Sequence, residues 1–403
     1  MAMTNSNNNK KFSFSFLVIA MNVFNSTLAG RPTYNVLSYG AKGDGGTDST
    51  NAFLSAWAAT CNSTKPSTMY VPQGKFLLRN VAFWGQTCKN TAIKVQIDGT
   101  LVAPSNYNVI GNTGCWIKFS RVNGVSISGG ILDGRGTNLW ACKTSGKSCP
   151  GGATTLGIYN SKNVEINKLT SLNSQLFHVI VYGSQNVRVQ GVKITASGTS
   201  PNTDGIHIQG SSYVTVSSTK IATGDDCVSI GPGSTNLWIE NVVCGPGHGI
   251  SIGSLGWDKQ EPGVQNVTVT TSTFIGTTNG LRVKTWARES NGFVKDVLFQ
   301  HAVMKKVQNP ILIDQNYCPH GSCPHQGSSV RISGINFLDV HGTSATQVAI
   351  KIDCSKNVPC SGIKLQDVNL EFKSEAVPSA SAQALCSNAG GTSSGYMQPR
   401  GCL

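Results

Sequence analysis

The chain has 403 residues, with 32 Lys plus Arg against 19 Asp plus Glu, a formal net charge of +13. So basic a chain attracts a polyanion, but it has no basic run interleaved with aromatics, which argues against nucleic acid. The length would allow two or three domains at roughly 150 residues each, unless a repeat makes one long domain of it.

The first 29 residues read as a secretory signal. Lys10 and Lys11 supply the positive end, residues 12 to 24 the apolar stretch, and Thr27 and Ala29 the small residues of a cleavage site. The apolar stretch is shorter than a membrane span of roughly 20 residues, and no later segment is long enough either. Cleavage near Ala29 is expected. It would leave residues 30 to 403 as a single secreted domain of net charge +11, since the 13 excess cations include Lys10 and Lys11. An acidic polysaccharide of the cell wall is the expected partner, with no nucleic acid and no membrane involved, and the protein is expected to be a monomer.

All 13 cysteines follow the signal, as suits an oxidising compartment. Cys61 with Cys88, Cys142 with Cys149, Cys227 with Cys244, Cys318 with Cys323, Cys354 with Cys360 and Cys386 with Cys402 lie close in sequence and read as local staples, leaving Cys115 over. No tight CxxC pair occurs, so a zinc site is not expected. Asn62 and Asn266 are glycosylation sequons.

Residues 47 to 61, "TDSTNAFLSAWAATC", read as a short helix. Thr47 or Ser49 is the expected cap, and Phe53 and Trp57 share one apolar face. Residues 143 to 155 read as a Gly- and Ser-rich loop.

A ladder then begins. "HVIVYG" at 178, "GIHIQG" at 205, "CVSIGP" at 227, "GISIGS" at 249, "GLRVKT" at 280 and "PILIDQ" at 310 recur at steps of 27, 22, 22, 31 and 30 residues. Between them recur "NVEI" at 163, "NVRV" at 186, "YVTV" at 213, "NLWI" at 236, "NVTV" at 266 and "FVKDV" at 293. Each run alternates apolar and polar, so each is a strand with one buried face. Repetition at a few tens of residues is the mark of a solenoid. An all-β parallel β-helix fits, with the N-terminal helix covering its open end. The Ser-, Ala- and Gly-rich tail after about residue 374 reads as loop.

The ladder sorts the polar residues. The second and fourth residues of each run are apolar and face the core, so the third and fifth point outward. Ser229, Gly231, Ser251 and Gly253 make two low rungs, as in a groove, and Arg282 and Lys284 follow one coil on. Just before the runs stand Asp204, Asp226 and His248, at equal steps of 22 residues, with Asp225 beside Asp226. One Asp before a strand is often only a turn residue. Three carboxylates and a histidine at equivalent places point to chemistry. Hydrolysis of a glycosidic bond fits, with one carboxyl keeping its proton and another activating water. So does calcium binding followed by elimination, although imidazole is a poor calcium ligand.

"SPNTDGI" at 200, "GDDCVSI" at 224, "GPGHGISIGSLG" at 245, "RVKTW" at 282 and "IDQNYCP" at 313 stand in the order found in plant polygalacturonases, which the chain resembles over nearly its whole mature length. This family of glycoside hydrolases cleaves pectin. The resemblance implies a right-handed parallel β-helix that hydrolyses α-1,4 bonds between galacturonic acid units, with inversion and without a metal or cofactor. It implies that Asp225 is the general acid, that Asp204 and Asp226 activate water, and that His248 holds the acid protonated. It further implies that Arg282 and Lys284 grip substrate carboxylates and that Tyr317 is an aromatic at the cleft. An ionised Asp226 would then keep a proton on its neighbour Asp225. A pectate lyase, a rhamnogalacturonan hydrolase and a wall-binding β-helix with a dead site are the rival readings. Endo and exo attack are left open.

Overall fold

In a computed structural model, residues 31–403 are described except 320, 322, 324–326 and 374–379. The expected signal at 1–29 lies outside the described residues. Among the described residues no helix is long and apolar enough to cross a membrane.

The rest winds as a parallel β-helix in the right-handed sense that parallel crossovers take. Eleven strands stack into one sheet, and nineteen form the remaining faces of the coil. The register is the one the repeats predict. Val179 pairs with Ile206, Ile206 with Val228, Val228 with Ile250, Ile250 with Leu281 and Leu281 with Ile311. The second and fourth residues of all these runs are buried in one continuous core. The second series also pairs in register, from Val164 through Val187, Val214 and Leu237 to Val267. Its next rung is displaced, because Val267 pairs with Val297, so that Asp296 and not Phe293 occupies the place of the asparagines.

Those asparagines have a conformational task. Asn163, Asn186, Asn236 and Asn266 all turn the chain at φ between 54° and 57°, a left-handed region that Asn tolerates better than most residues. Their amides also bridge coils: Asn186 donates to Asn163 at 2.7 Å, and Asn163 to Asn123 at 2.7 Å.

The N-terminal helix runs Thr50–Asn62. Its apolar face is as expected, with Phe53 against Phe76 and Trp57 against Phe83 and Phe119. Its cap differs. Ser49 makes no side-chain cap bond, since its hydroxyl serves Lys42; the Asp48 carboxylate instead accepts from the amide and hydroxyl of Thr50. A second helix, Thr137–Thr144, precedes the loop and was not expected, because it lacks an amphipathic pattern. The tail is not all loop. Gln383–Ser387 and Ala389–Gln398 add one more coil to the two sheets. Gly and Ser hid the second of them, AGGTSSGYMQ, since such small residues show no alternation, and the first, QALCS, is only five residues long. All six expected disulfides are formed, and Cys115 is free and buried. Both sequon asparagines are exposed.

Candidate active site

A cleft of about 490 Å³ lies on the outer face of the eleven-stranded sheet and is lined by Asp204, Asp225, Asp226, Lys284 and Tyr317, among others. The turns leading into three successive strands present the acidic cluster. Backbone bonds tie them together: Gly205 N–H donates to Asp226 O at 2.9 Å, Cys227 N–H to Gly249 O at 2.8 Å, and His248 N–H to Asp225 O at 2.8 Å. Glycine beside each turn has a steric reason. A Cβ on Gly224 would strike the backbone of Ser200, and one on Gly249, at φ 85°, would strike that of Asn279. The Cys227–Cys244 disulfide braces the turn carrying Asp225 and Asp226.

The two adjacent aspartates have different surroundings. Asp226 is 1% exposed. Its Oδ1 accepts from Arg282 Nη2 at 2.6 Å and from Ser251 Oγ at 2.9 Å, and its Oδ2 from Lys284 Nζ at 2.9 Å. Burial alone would raise its pKa, but Arg282 and Lys284 outweigh burial and hold the carboxyl below its ordinary value. Asp225 is more open. Its Oδ1 accepts from the Asp226 amide at 2.8 Å and from His248 Nδ1 at 3.0 Å. Among the described residues its Oδ2 has no hydrogen-bond partner.

Asp204 is buried and, among the described residues, makes no direct ion pair. Burial, then the charges of Asp225 and Asp226, push its pKa well above the ordinary value. Asp204 and Asp226 are thus driven in opposite directions, Asp204 up and Asp226 down, because the cations pair with Asp226. This gives a stability prediction. A carboxyl raised by folding favours the fold below its unfolded pKa of about 3.9 and loses that advantage as pH rises through its native value. Asp204→Asn is therefore expected to raise Tm near neutral pH, with the gain disappearing below about pH 4. Thermal melts across pH check this; an unchanged or lower Tm near neutrality would contradict it.

Arg282 and Lys284 share the expected face, but they do not stand free in the groove. Both are less than a tenth exposed, and they reach back across the Ser251 rung to Asp226, with Arg282 Nε donating to Ser251 Oγ at 2.9 Å. The low Ser and Gly rungs leave the space for these long side chains. Tyr317 lines the cleft as expected, its ring 5.2 Å from Lys284 Nζ.

The sequence reading passed over several cleft residues. Trp257, Trp286 and Tyr317 form a row of edge-to-face rings 5.0 and 5.1 Å apart, with Arg288 over Trp257 at 3.9 Å. The buried Glu261 carboxylate gathers the amides of Gly256 and Trp257 and so shapes that wall. His207 bridges Ser229 and Gln209 and stacks on Phe177, and burial lowers its pKa. Trp286 closes the quoted "RVKTW" run, whereas Trp257 follows the irregularity in register between Ile252 and Leu255, where the repeat no longer assigns a face.

Asp225, Asp226 and His248 each bring one ligand atom within 4.8 Å of the others. A cation there would compete with Arg282 and Lys284 for an Asp226 whose two oxygens are already engaged. The cluster is also tighter than the roughly 6.5–9.5 Å between acid and base usual in inverting glycosidases. Neighbouring residues and coils about one strand spacing, ~4.8 Å, apart enforce this.

A parallel β-helix carrying paired carboxylates in a cleft over one sheet defines the class of polysaccharide-cleaving β-helix enzymes. Residues 61–393 match the family described as "Glycosyl hydrolases family 28", and the chain belongs to it. It is 59% identical over 397 residues to a polygalacturonase of Prunus persica, covering 98% of this chain and 100% of that one. It is 45% identical over 370 residues to an exopolygalacturonase of Platanus acerifolia, covering 91% and 96%. The solved endo-xylogalacturonan hydrolase from Aspergillus tubingensis shares the fold at a TM-score of 0.76 and 24% identity, covering 91% and 100%.

Proposed function

We propose that the protein hydrolyses α-1,4-galacturonosyl bonds of polygalacturonate by general acid and base catalysis in the plant cell wall. The observation that carries this reading is the division of labour between Asp225 and Asp226. Two cations hold Asp226 ionised, as a group that activates water must be. Asp225 faces the cleft with one oxygen unengaged, as a group that gives a proton to the leaving oxygen must. Asp204 stands one coil before Asp226; the family resemblance assigns it to water activation, a task open to it only once its raised carboxyl is ionised. His248 orients Asp225 and, when protonated, adds a positive charge beside it. Lys284 and Tyr317 touch the substrate from the cleft wall, and Arg282 acts through Asp226. The basic net charge suits a polyanionic substrate. The leader-like N-terminus together with six disulfides supports secretion.

Elimination by a calcium-dependent lyase is the rival chemistry. Reducing ends and ultraviolet absorbance, followed on polygalacturonate with and without a chelator, separate the two. New reducing ends without absorbing products, unchanged by the chelator, are expected. Unsaturated products, or activity abolished by chelation, would overturn the hydrolase reading. The product sizes in the same time course report endo attack as long intermediates and exo attack as monomer alone.

A further inference from the structure

We infer that the outer face of the first coils is a second stretch of binding surface, in line with the cleft, that holds a distant part of the same acidic polysaccharide through Lys118. The inference rests on the proposed substrate class.

Four strands precede the cleft on the eleven-stranded sheet: Val81–Trp84, Cys115–Ser120, Thr154–Tyr159 and Val179–Tyr182. Their outward residues fall into two columns. Register places Trp84 beside Ser120, Ser120 beside Tyr159, Tyr159 beside Tyr182 and Tyr182 beside Gln209, which lines the cleft. In the second column Ala82 pairs with Lys118, Lys118 with Gly157, and Ile180 with the cleft residue His207. From the Trp84 rung to the cleft's first rung is four strand spacings, roughly 19 Å, the length of several sugar units.

The surface has the right chemistry. Trp84 is 51% exposed and Tyr182 41% exposed, and soluble proteins rarely align such rings without a use for them. Lys118 Nζ lies 5.5 Å from the Trp84 ring centre and 4.8 Å from that of Tyr159, and it takes part in no ion pair among the described residues. Two rings thus hold a cation in place and leave its charge uncompensated. Its neighbours on either rung, Ala82 and Gly157, are small, so a chain can lie close to it. The rings offer apolar faces to the C–H side of a pyranose, and the ammonium offers hydrogen bonds to a uronate carboxylate.

The other end of the cleft contrasts with this. There Lys284 pairs in register with Asp314, and Asp314 with Asp353. Asp353 lies 3.5 Å from Lys351, and among the described residues Asp314 makes no ion pair. A polyanion leaving the cleft therefore meets an unpaired lysine on the N-terminal side, and on the other two carboxyls with a single lysine, Lys351, engaged by one of them.

Chain-length dependence tests the inference. Turnover of trigalacturonate and of long oligogalacturonates is measured for the wild type and for Lys118→Gln, Lys118→Glu, Lys118→Arg and Trp84→Ala. Lys118→Gln removes a charge-assisted hydrogen bond and is expected to lower kcat/KM on long chains at least about tenfold, or about 1.4 kcal/mol, through KM. The trimer, seated in the cleft, is expected to be unaffected. Lys118→Glu should lose more, Lys118→Arg should keep most of the wild-type value, and Trp84→Ala should repeat the length-dependent loss. Equal losses on both lengths, or none on either, would overturn the extended surface while leaving the hydrolase reading intact. A wild-type enzyme inert on both substrates would overturn the hydrolase reading, and this inference with it.

Discussion

Asp225→Asn is expected to lower kcat roughly a thousandfold, within the range general acid catalysis supplies, while KM for polygalacturonate stays near the wild-type value. Proton transfer helps only in the transition state, so its loss falls on kcat and on kcat/KM alike. The amide keeps the size of the carboxylate and can still accept from the Asp226 amide through its oxygen, so the turn should survive. What it cannot do is release a proton to the leaving oxygen. The wild-type rate should peak on the acidic side of neutral, where the cluster of three carboxyls keeps a proton beside an ionised Asp226. Steady-state kinetics, with binding to uncleaved oligogalacturonate measured separately, check both halves. Near-normal turnover would move the acid role elsewhere, with Asp204 the next candidate, since its carboxyl is the one that burial and its neighbours push up.

The fold was legible because a solenoid repeats its instructions. Each run from "HVIVYG" to "PILIDQ" states the same alternation, and the equal steps fixed which residues stack, so Asp204, Asp226 and His248 could be placed together without coordinates. Elements without alternation were not legible. The strand Ala389–Gln398 is built largely of Gly and Ser, and the helix Thr137–Thr144 has no apolar stripe. Side-chain reach was also hidden. The pattern says that Arg282 and Lys284 face outward, but it cannot say that they fold back over Ser251 to Asp226. That depends on the space two small rungs leave and on the electrostatics of a buried carboxylate. The aromatic wall of Trp257 and Trp286 was missed for a related reason, because both rings follow irregularities in register, between Ile252 and Leu255 and between Lys284 and Trp286, where the alternation no longer assigns a face.

The folded-back arginine separates two roles that the sequence treats as one. If Arg282 holds Asp226, then Arg282→Met leaves a carboxylate that is 1% exposed with one cation in place of two. Breaking a buried pair from one side costs about 3–5 kcal/mol, and the remaining Lys284 should keep the loss near the lower end. The pH dependence has a definite sign. A depressed carboxyl stabilises the fold above its unfolded pKa, about 3.9, and that stability is lost as pH falls through the native value. Removing Arg282 raises the native value, so the loss should begin at a higher pH in the variant, and the acid limb of the rate profile should move up with it. Denaturant melts and kcat/KM profiles across the acid range measure both. The double variant Asp226→Asn with Arg282→Met should recover much of the lost stability, because neither charge is then stranded, but not the turnover, because the group that activates water is gone. If Arg282→Met melts like the wild type and only KM for polygalacturonate rises, the arginine grips the substrate directly, as the family resemblance implies, and its hold on Asp226 contributes little to the fold or to the rate.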